Sequence, residues 1–449
     1  MRVSRRSMFV GATAALLPRM LGAADQADQS RMIIRSPKPE DLEMPLDGFT
    51  SDWITPIDRF FVRCHTYTPT VKLGEWSLKI DGKVDRPITL TMDALKAMPR
   101  LEIVAVLECA GNGRRFYEPR VAGTQWAFGS VGNGRWAGVR LRDVLQKAGI
   151  QSSAKEILFD GADVPLGKMP DFQRTITVAK ALHPDTLLAY EMNGQPLPVE
   201  HGFPLRVIAS GWASDSWVKW VQHIEVLDHE FEGFWMKSAY RHPPQPVVPG
   251  TAVDAAAMVP VTDLNVKSVI ASPAGWAKPG MVRVLGTAWS NGSPVSKVDV
   301  SVDGGQTWKA AKVGGQRTQY GWRPWRLDWK AGEGKYTLMA RATNQAGQTQ
   351  PLQEQWNPSG YLWNVAQPVP ITISDQPPAA PAEAASSEAP YPEGYRAACM
   401  GCHDEHMMQQ QRLTRAQWDR EINKMTGWGA PLKAENREAV LTYLANKYK

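Results

Sequence analysis

Apolar positions change their spacing several times along the chain. Between residues 25 and 255 they gather in short runs at 157–159, 187–190, 205–209 and 218–227, the length expected of strands. Helical spacing shows at 92–98 and 141–148, so this stretch reads as a mixed α+β domain with many loops. From 256 to 373 the pattern becomes strict alternation. Val282 and Val284 lead toward Trp289, Val298, Val300 and Val302 share one face, a turn follows at Asp303-Gly304-Gly305, and a further strand runs through Tyr336 and Leu338. That spacing predicts an immunoglobulin-like β-sandwich. Residues 374–390, rich in Pro, Ala, Ser and Glu, have nothing to bury and read as an extended linker. Beyond it, residues 391–449 return to helical spacing and predict a small all-α domain. Thr414 and Gln417 form a capping box for a helix over 415–426, on which Trp418, Ile422 and Met425 share a face, and a second amphipathic helix covers 434–447.

Composition narrows the class. With 43% apolar and 21% charged residues the chain is globular, and no apolar run approaches the ~20 residues of a membrane helix. Residues 1–24 read as an export signal in which Ser4-Arg5-Arg6-Ser7-Met8-Phe9-Val10 is similar to a twin-arginine (Tat) signal, with a plain secretory signal as the alternative. Four arginines and no acids lie in this segment, so four of the six excess positive charges belong to it. No basic runs remain to suggest a nucleic-acid partner. The expected location is the periplasm.

Four cysteines are too few for a disulfide scaffold. Two of them stand in Cys399-Met400-Gly401-Cys402-His403, the attachment motif of a c-type haem: two thiols for the vinyl groups and a histidine to ligate the iron. A C-x-x-C disulfide or half of a zinc site are the alternatives, although no second pair of zinc ligands follows. Met425 is the expected sixth iron ligand, with His406, Met407 and Met408 as competitors that lie very close to His403 in sequence.

A third cysteine, Cys109, ends an apolar run and is followed by Ala110-Gly111-Asn112-Gly113-Arg114-Arg115. A thiol beside guanidinium groups is expected to have a lowered pKa, suited to nucleophilic attack or to a soft metal. Together with Phe61-Val62-Arg63-Cys64-His65, Thr124-Gln125-Trp126, Tyr190 to Pro198, His201-Gly202-Phe203-Pro204-Leu205-Arg206 and Val218-Lys219-Trp220, this loop resembles the sulfite oxidase family of molybdenum enzymes. The resemblance runs in order over residues 40–372 and includes the sandwich, which looks like that family's dimerisation domain.

The resemblance implies a Mo-molybdopterin cofactor with Cys109 as the thiolate ligand of the metal. It implies that His65, Asp163, His201, Arg206 and Lys219 hold the pterin and its phosphate. Arg63 and Arg115, or Arg114 in its place, would clamp an oxyanion, with Trp126 as a wall and Tyr240 donating a hydrogen bond beside the metal. The implied activity is sulfite oxidation, with electrons leaving through the appended haem to an external c-type cytochrome. The sandwich would then make a homodimer. Two further readings are a reductase of S-oxides or other oxyanions in the same superfamily, and a haem carrier whose Mo-like domain is a scaffold. The sequence also departs from the family. The loop carries one residue more than the usual CAGNRR, Cys64 replaces a common asparagine, and Trp356-Asn357-Pro358-Ser359-Gly360 lacks the arginine of a WNLRG-like stretch.

Overall fold

The computed structural model describes residues 32–378 and 390–448. The proposed signal, most of the linker and Lys449 fall outside the described residues. The segment from Met32 onward forms one compact unit, and none of its described helices is long and apolar enough to cross a membrane.

Two five-stranded sheets build the first domain. One runs Ile88–Leu90, Leu78–Gly82, Val221–Leu227, Glu156–Gly161, Arg174–Thr177. The other runs Gln195–Pro196, Thr186–Met192, Val131–Arg140, Arg100–Glu108, with Arg206–Ala209 also paired to Thr186–Met192. Between them the helix Leu141–Ala148 buries Leu141, Val144, Leu145 and Ala148, and Gly149 caps it in a left-handed turn at φ 75°. A small third sheet, Ile33–Pro37, Glu40–Glu43 and Val62–Arg63, lies outside the predicted pattern and carries Arg63 to the site.

The sandwich packs Lys267–Ser272, Gly280–Trp289, Arg323–Ala331 and Lys312–Val313 against a second sheet of five strands. In that second sheet Val295–Ser301 pairs with Gly334–Asn344, and Val298, Val300, Leu338 and Ala340 face the buried core. The alternation seen in the sequence is therefore the inward face of each strand. At the C-terminus, Arg415–Gly427 starts with the expected capping box, with Thr414 and Gln417 satisfying each other's backbone N–H groups. Trp418 and Ile422 pack on Val440, Leu441 and Leu444 of Ala434–Lys447.

Candidate active site

The strand Arg100–Glu108 delivers Cys109 to its end, where a tight loop begins. Backbone bonds fix that loop: Cys109 N–H donates to Ser130 O at 2.9 Å, Asn112 N–H to Cys109 O at 2.9 Å, and Leu362 N–H to Ala110 O at 2.8 Å. The Cys109 thiol is 6% exposed and faces a cavity of about 480 Å³ lined also by Arg63, His65, Arg114, Trp126 and Tyr240. Burial pushes this thiol above its ordinary pKa, and the opposing pull of Arg63 and Arg114 is smaller. The lowered pKa expected from the flanking arginines is thus corrected: in the bare protein, desolvation outweighs them. A cation on the sulfur would reverse that balance.

Arg115 is likewise corrected. It is exposed and outside the cavity, whereas Arg114 is buried and lines it. The extra residue of the loop explains the exchange. Gly113 sits at φ 95°, a left-handed turn open to glycine, and starts the short helix Arg114–Phe116. Arg114 then threads between Gly111 and Gly123, where a Cβ on either would stand 2.8 Å from its guanidinium. It donates to Thr124 O at 3.2 Å and lies over Tyr361. Arg63 is held by Asp41 at 3.2 Å and by Cys64 O. Burial works against the Arg63 charge, but Asp41 and the neighbouring phenol and thiols hold its pKa above the ordinary value. Asp41, itself buried, also accepts from the Thr124 hydroxyl at 2.9 Å and so ties the two arginine-bearing segments together. Ser359 lines the same cavity, and Arg114 reaches its neighbour Gly360, where a Cβ would stand 2.9 Å from Arg114 Nε. Arg241, anchored to Met236 O and Met258 O, also lines the cavity wall.

Tyr240 occupies the left-handed region at φ 53°, and its hydroxyl shares a 2.7 Å hydrogen bond with His65 Nε2. Burial, reinforced by Arg63, Lys219 and Arg174, keeps His65 far below its ordinary pKa. Burial also drives the Tyr240 phenol well upward, so both groups are uncharged near neutrality. Trp126 is fully buried against the same cavity.

A smaller adjoining cavity brings together Cys109, His65, Asp163, His201, Arg206 and Lys219. Arg206 donates to His201 O at 2.8 Å and Trp217 O at 3.1 Å, yet its Nε has no partner and no described carboxylate pairs with it. Burial alone lowers its pKa to about 9. Lys219 donates to Cys64 Sγ at 3.1 Å and Glu200 O at 2.9 Å and lies 4.1 Å over the Trp220 ring, with no described carboxylate paired to it. Asp163 accepts from the Thr66 hydroxyl at 2.9 Å. A buried guanidinium without an acid, next to an ammonium and a thiol, fits an anionic cofactor that carries both a phosphate and a metal.

The 480 Å³ cavity has a second wall. Cys399, Cys402, His403, Met407, Met408 and Met425 line it from the C-terminal helices. Both cysteines are free thiols, and no described cluster of three or more His, Cys, Asp or Glu side chains is arranged to hold a metal ion. Burial holds the His403 imidazole below its ordinary pKa, the neutral form a metal requires. His406 turns instead to Asp404 at 3.0 Å and does not line the cavity. The Met407 Sδ accepts from the side-chain amides of Gln410 and Gln411, each at 3.9 Å, while Met408 is packed in the helical core. Met425 stands on the separate helix Arg415–Gly427. Their donor types are the ones a covalently attached haem would use.

Comparison with known proteins finds family matches in two stretches of the chain. Residues 65–235 match the oxidoreductase molybdopterin binding domain, and residues 258–374 match the Mo-co oxidoreductase dimerisation domain. The fold and site therefore define a molybdenum oxidoreductase. Mitochondrial sulfite oxidase of Homo sapiens is 34% identical over 371 residues, covering 78% of this chain and 68% of the relative. Sulfite oxidase of Gallus gallus is 34% identical over 359 residues, covering 76% and 78%. The sulfane dehydrogenase SoxCD of Paracoccus pantotrophus superposes with a TM-score of 0.67 at 26% identity, over 82% of this chain and 96% of that one. The chain belongs to the sulfite oxidase family of molybdopterin enzymes.

Asp41, Glu108 and Lys267 were not legible as site residues. Asp41 lies in the run Glu40-Asp41-Leu42-Glu43, where alternate acids turn inward to hold Arg63, Arg35 and the N–H groups of Ala127 and Gly129. Such a pattern reads as a solvent-facing strand edge until its partners are known.

Proposed function

We propose that this chain is an exported sulfite dehydrogenase. In this reading sulfite, or a sulfur oxyanion of similar size, is oxidised to sulfate with water as the oxygen source, releasing two electrons and two protons. A c-type haem held by Cys399, Cys402, His403 and Met425 would supply a one-electron relay from the site to an external c-type cytochrome. Bound through Cys109 and the dithiolene of molybdopterin, molybdenum supplies the two-electron acceptor for that oxidation.

The chain's own residues supply the rest. Arg63 and Arg114 present planar donors to the oxyanion and are fixed before it arrives, so little reorganisation is needed as charge shifts in the reaction. Tyr240 remains a neutral phenol oriented by His65, and Trp126 excludes water from one side. Arg206, Lys219, His201 and Asp163 hold the pterin and its phosphate. Export through the Tat route to the periplasm rests on the sequence of residues 1–24, and a homodimer through the sandwich rests on its match to the dimerisation domain.

The observation that carries this reading is the shared cavity, with Cys109, Arg63 and Arg114 on one wall and the haem-attachment residues on the other. The test is a sulfite titration of the matured protein, with metal and haem quantified and the haem absorption bands followed. Reduction of the bands by sulfite, absent in Cys109→Ser, is expected. Reduction that persists in that variant refutes the proposal.

A further inference from the structure

Helix Arg415–Gly427 carries Met425 and ends at Trp428, whose indole leaves the helical unit and packs on the molybdopterin domain. Its ring lies 5.7 Å from that of Phe234, edge-on, and 6.2 Å from that of Trp235. Trp235 in turn stands 4.7 Å from the His65 ring, and His65 holds the Tyr240 hydroxyl at 2.7 Å. A continuous aromatic series thus joins the helix bearing the proposed haem ligand to the two groups beside Cys109. The backbone supports it: Lys168 N–H donates to Trp428 O at 2.8 Å, and a Cβ on Gly167 would come 2.8 Å from the same oxygen.

The remaining hydrogen bonds between the helical unit and the molybdopterin domain are made by neutral groups, while Arg412 stands close enough to Arg115 for the two charges to repel. Gln410 accepts from Gln125 N–H at 2.8 Å and donates to Arg35 O at 2.9 Å. Gln411 donates to Gly123 O and Gln417 to Arg120 O, each at 2.9 Å, while Tyr67 donates to Cys402 O at 3.2 Å. Among the described residues no ion pair crosses this boundary, since every pair involving residues 390–448 lies within that segment.

We infer that Trp428 is the electron-transfer contact of this protein: it docks the helical unit without an ion pair and, with Trp235, bridges the metal site to the haem. The inference rests on the proposed haem attachment. Each event moves one electron from the reduced molybdenum to ferric haem, giving ferrous haem. The indoles conduct as closed-shell spacers, and no bond forms or breaks. Filled, packed atoms carry a tunnelling electron better than a gap, so removing the indole weakens both docking and coupling. With no attractive ion pair at this interface, and Arg412 repelling Arg115, screening by salt removes no docking energy.

The experiment is flash reduction of the holoenzyme, reading the rate at which the haem bands equilibrate with the metal, in wild type, Trp428→Phe and Trp428→Leu. Hydrogen exchange at the Lys168 and Gln125 amides is measured in parallel. Trp428→Leu is expected to slow the rate at least about tenfold, or ~1.4 kcal/mol if expressed as lost docked population, with the haem potential unchanged. The Lys168 amide is expected to lose protection, and Trp428→Phe is expected to keep most of both. Raising ionic strength from low salt to roughly 1 M, where the Debye length is about 3 Å, is expected not to lower the wild-type rate. An unchanged rate in Trp428→Leu, or a steep fall with salt in wild type, overturns the inference while leaving the proposed activity intact. A matured wild-type protein without covalent haem overturns the underlying reading instead.

Discussion

Replacing Lys267 by Met tests how the sandwich domain holds the metal-binding loop. Lys267 opens the strand Lys267–Ser272 and donates to Glu108 Oε1 at 2.6 Å and to Asn112 O at 3.2 Å. Glu108 is the residue before Cys109. Its carboxylate also accepts from Asn112 Nδ2 at 2.9 Å and from Trp289 Nε1 at 2.7 Å. The side chains of the pair are 3% and 5% exposed. Removing one partner of such a buried pair typically costs about 3–5 kcal/mol, because the remaining charge stays desolvated. Glu108 keeps two neutral donors in Lys267→Met, which places the expected loss near the lower end, about 3 kcal/mol. In Lys267→Met with Glu108→Gln no charge is stranded, and the loss is expected to shrink to about 1 kcal/mol.

Urea unfolding of both singles and the double variant measures this coupling. The alkylation rate of Cys109 in cofactor-free protein reports on the loop itself, since Asn112 also accepts from the N–H and hydroxyl of Ser130, whose carbonyl accepts from the Cys109 N–H. Faster alkylation and lower molybdenum content are expected in Lys267→Met. If that variant loses less than about 1 kcal/mol, or the double variant is no better than the single, the buried pair is not what anchors the loop.

Three further outcomes follow from the same geometry. Arg114→Met is expected to raise the KM for sulfite by about ten- to a hundredfold, the scale of one charge-assisted hydrogen bond, whereas Arg115→Met changes it less than about twofold; equal effects would return the clamp to Arg115. Gly123→Ala is expected to raise KM in the same direction without touching a charge, because its Cβ would stand 2.8 Å from Arg114 Nη1; an unchanged KM argues against that cradle. His201 is neutral in the folded chain because burial, then Arg206 and Lys219, lower its pKa to about 3. The unfolded chain takes up that proton near pH 6.5, so stability falls as pH drops from about 6.5 toward 3, by up to ~1.4 kcal/mol per pH unit for one proton. Urea midpoints across this range should fall less steeply in His201→Gln than in wild type, and parallel slopes would show that His201 does not titrate on unfolding.

The sandwich and the C-terminal helices were legible because each presents one face to a core. In Val295–Ser301 the buried valines alternate with exposed or half-exposed Ser296, Lys297 and Asp299, and the pair Thr414–Gln417 announces a helix start locally. The central sheets were harder. Thr186–Met192 is buried on both faces and shows no alternation, a run that length alone separates from a buried helix. Val221–Leu227 is placed by pairing in parallel with Leu78–Gly82, more than a hundred residues earlier, which no local pattern encodes. The motifs named Cys109 and Arg63. They could not decide between Arg114 and Arg115, because that depends on the φ of Gly113, nor find Trp428, whose partner Trp235 lies far back in the chain.

Sorting the buried cations by their partners shows what the site is built to receive. Arg63 is matched by Asp41, Arg174 by Asp215 and Lys267 by Glu108, so each is neutralised within the fold. Arg114 and Arg206 have no described carboxylate; each leaves its Nε without a partner and rests on backbone carbonyls and aromatic faces. Burying an unmatched charge costs several kcal/mol, a cost a fold sustains where an anion is to arrive. Arg206 stands in the smaller cavity beside Lys219, and Arg114 stands in the larger one beside Arg63. Cys109 faces both. The arrangement leaves an unmatched cation on either side of one thiol, which in the proposed reading receive a cofactor phosphate and an oxyanion substrate. Replacing Arg206 by a neutral residue should for that reason deplete cofactor, while replacing Arg114 should leave cofactor bound and weaken only the substrate.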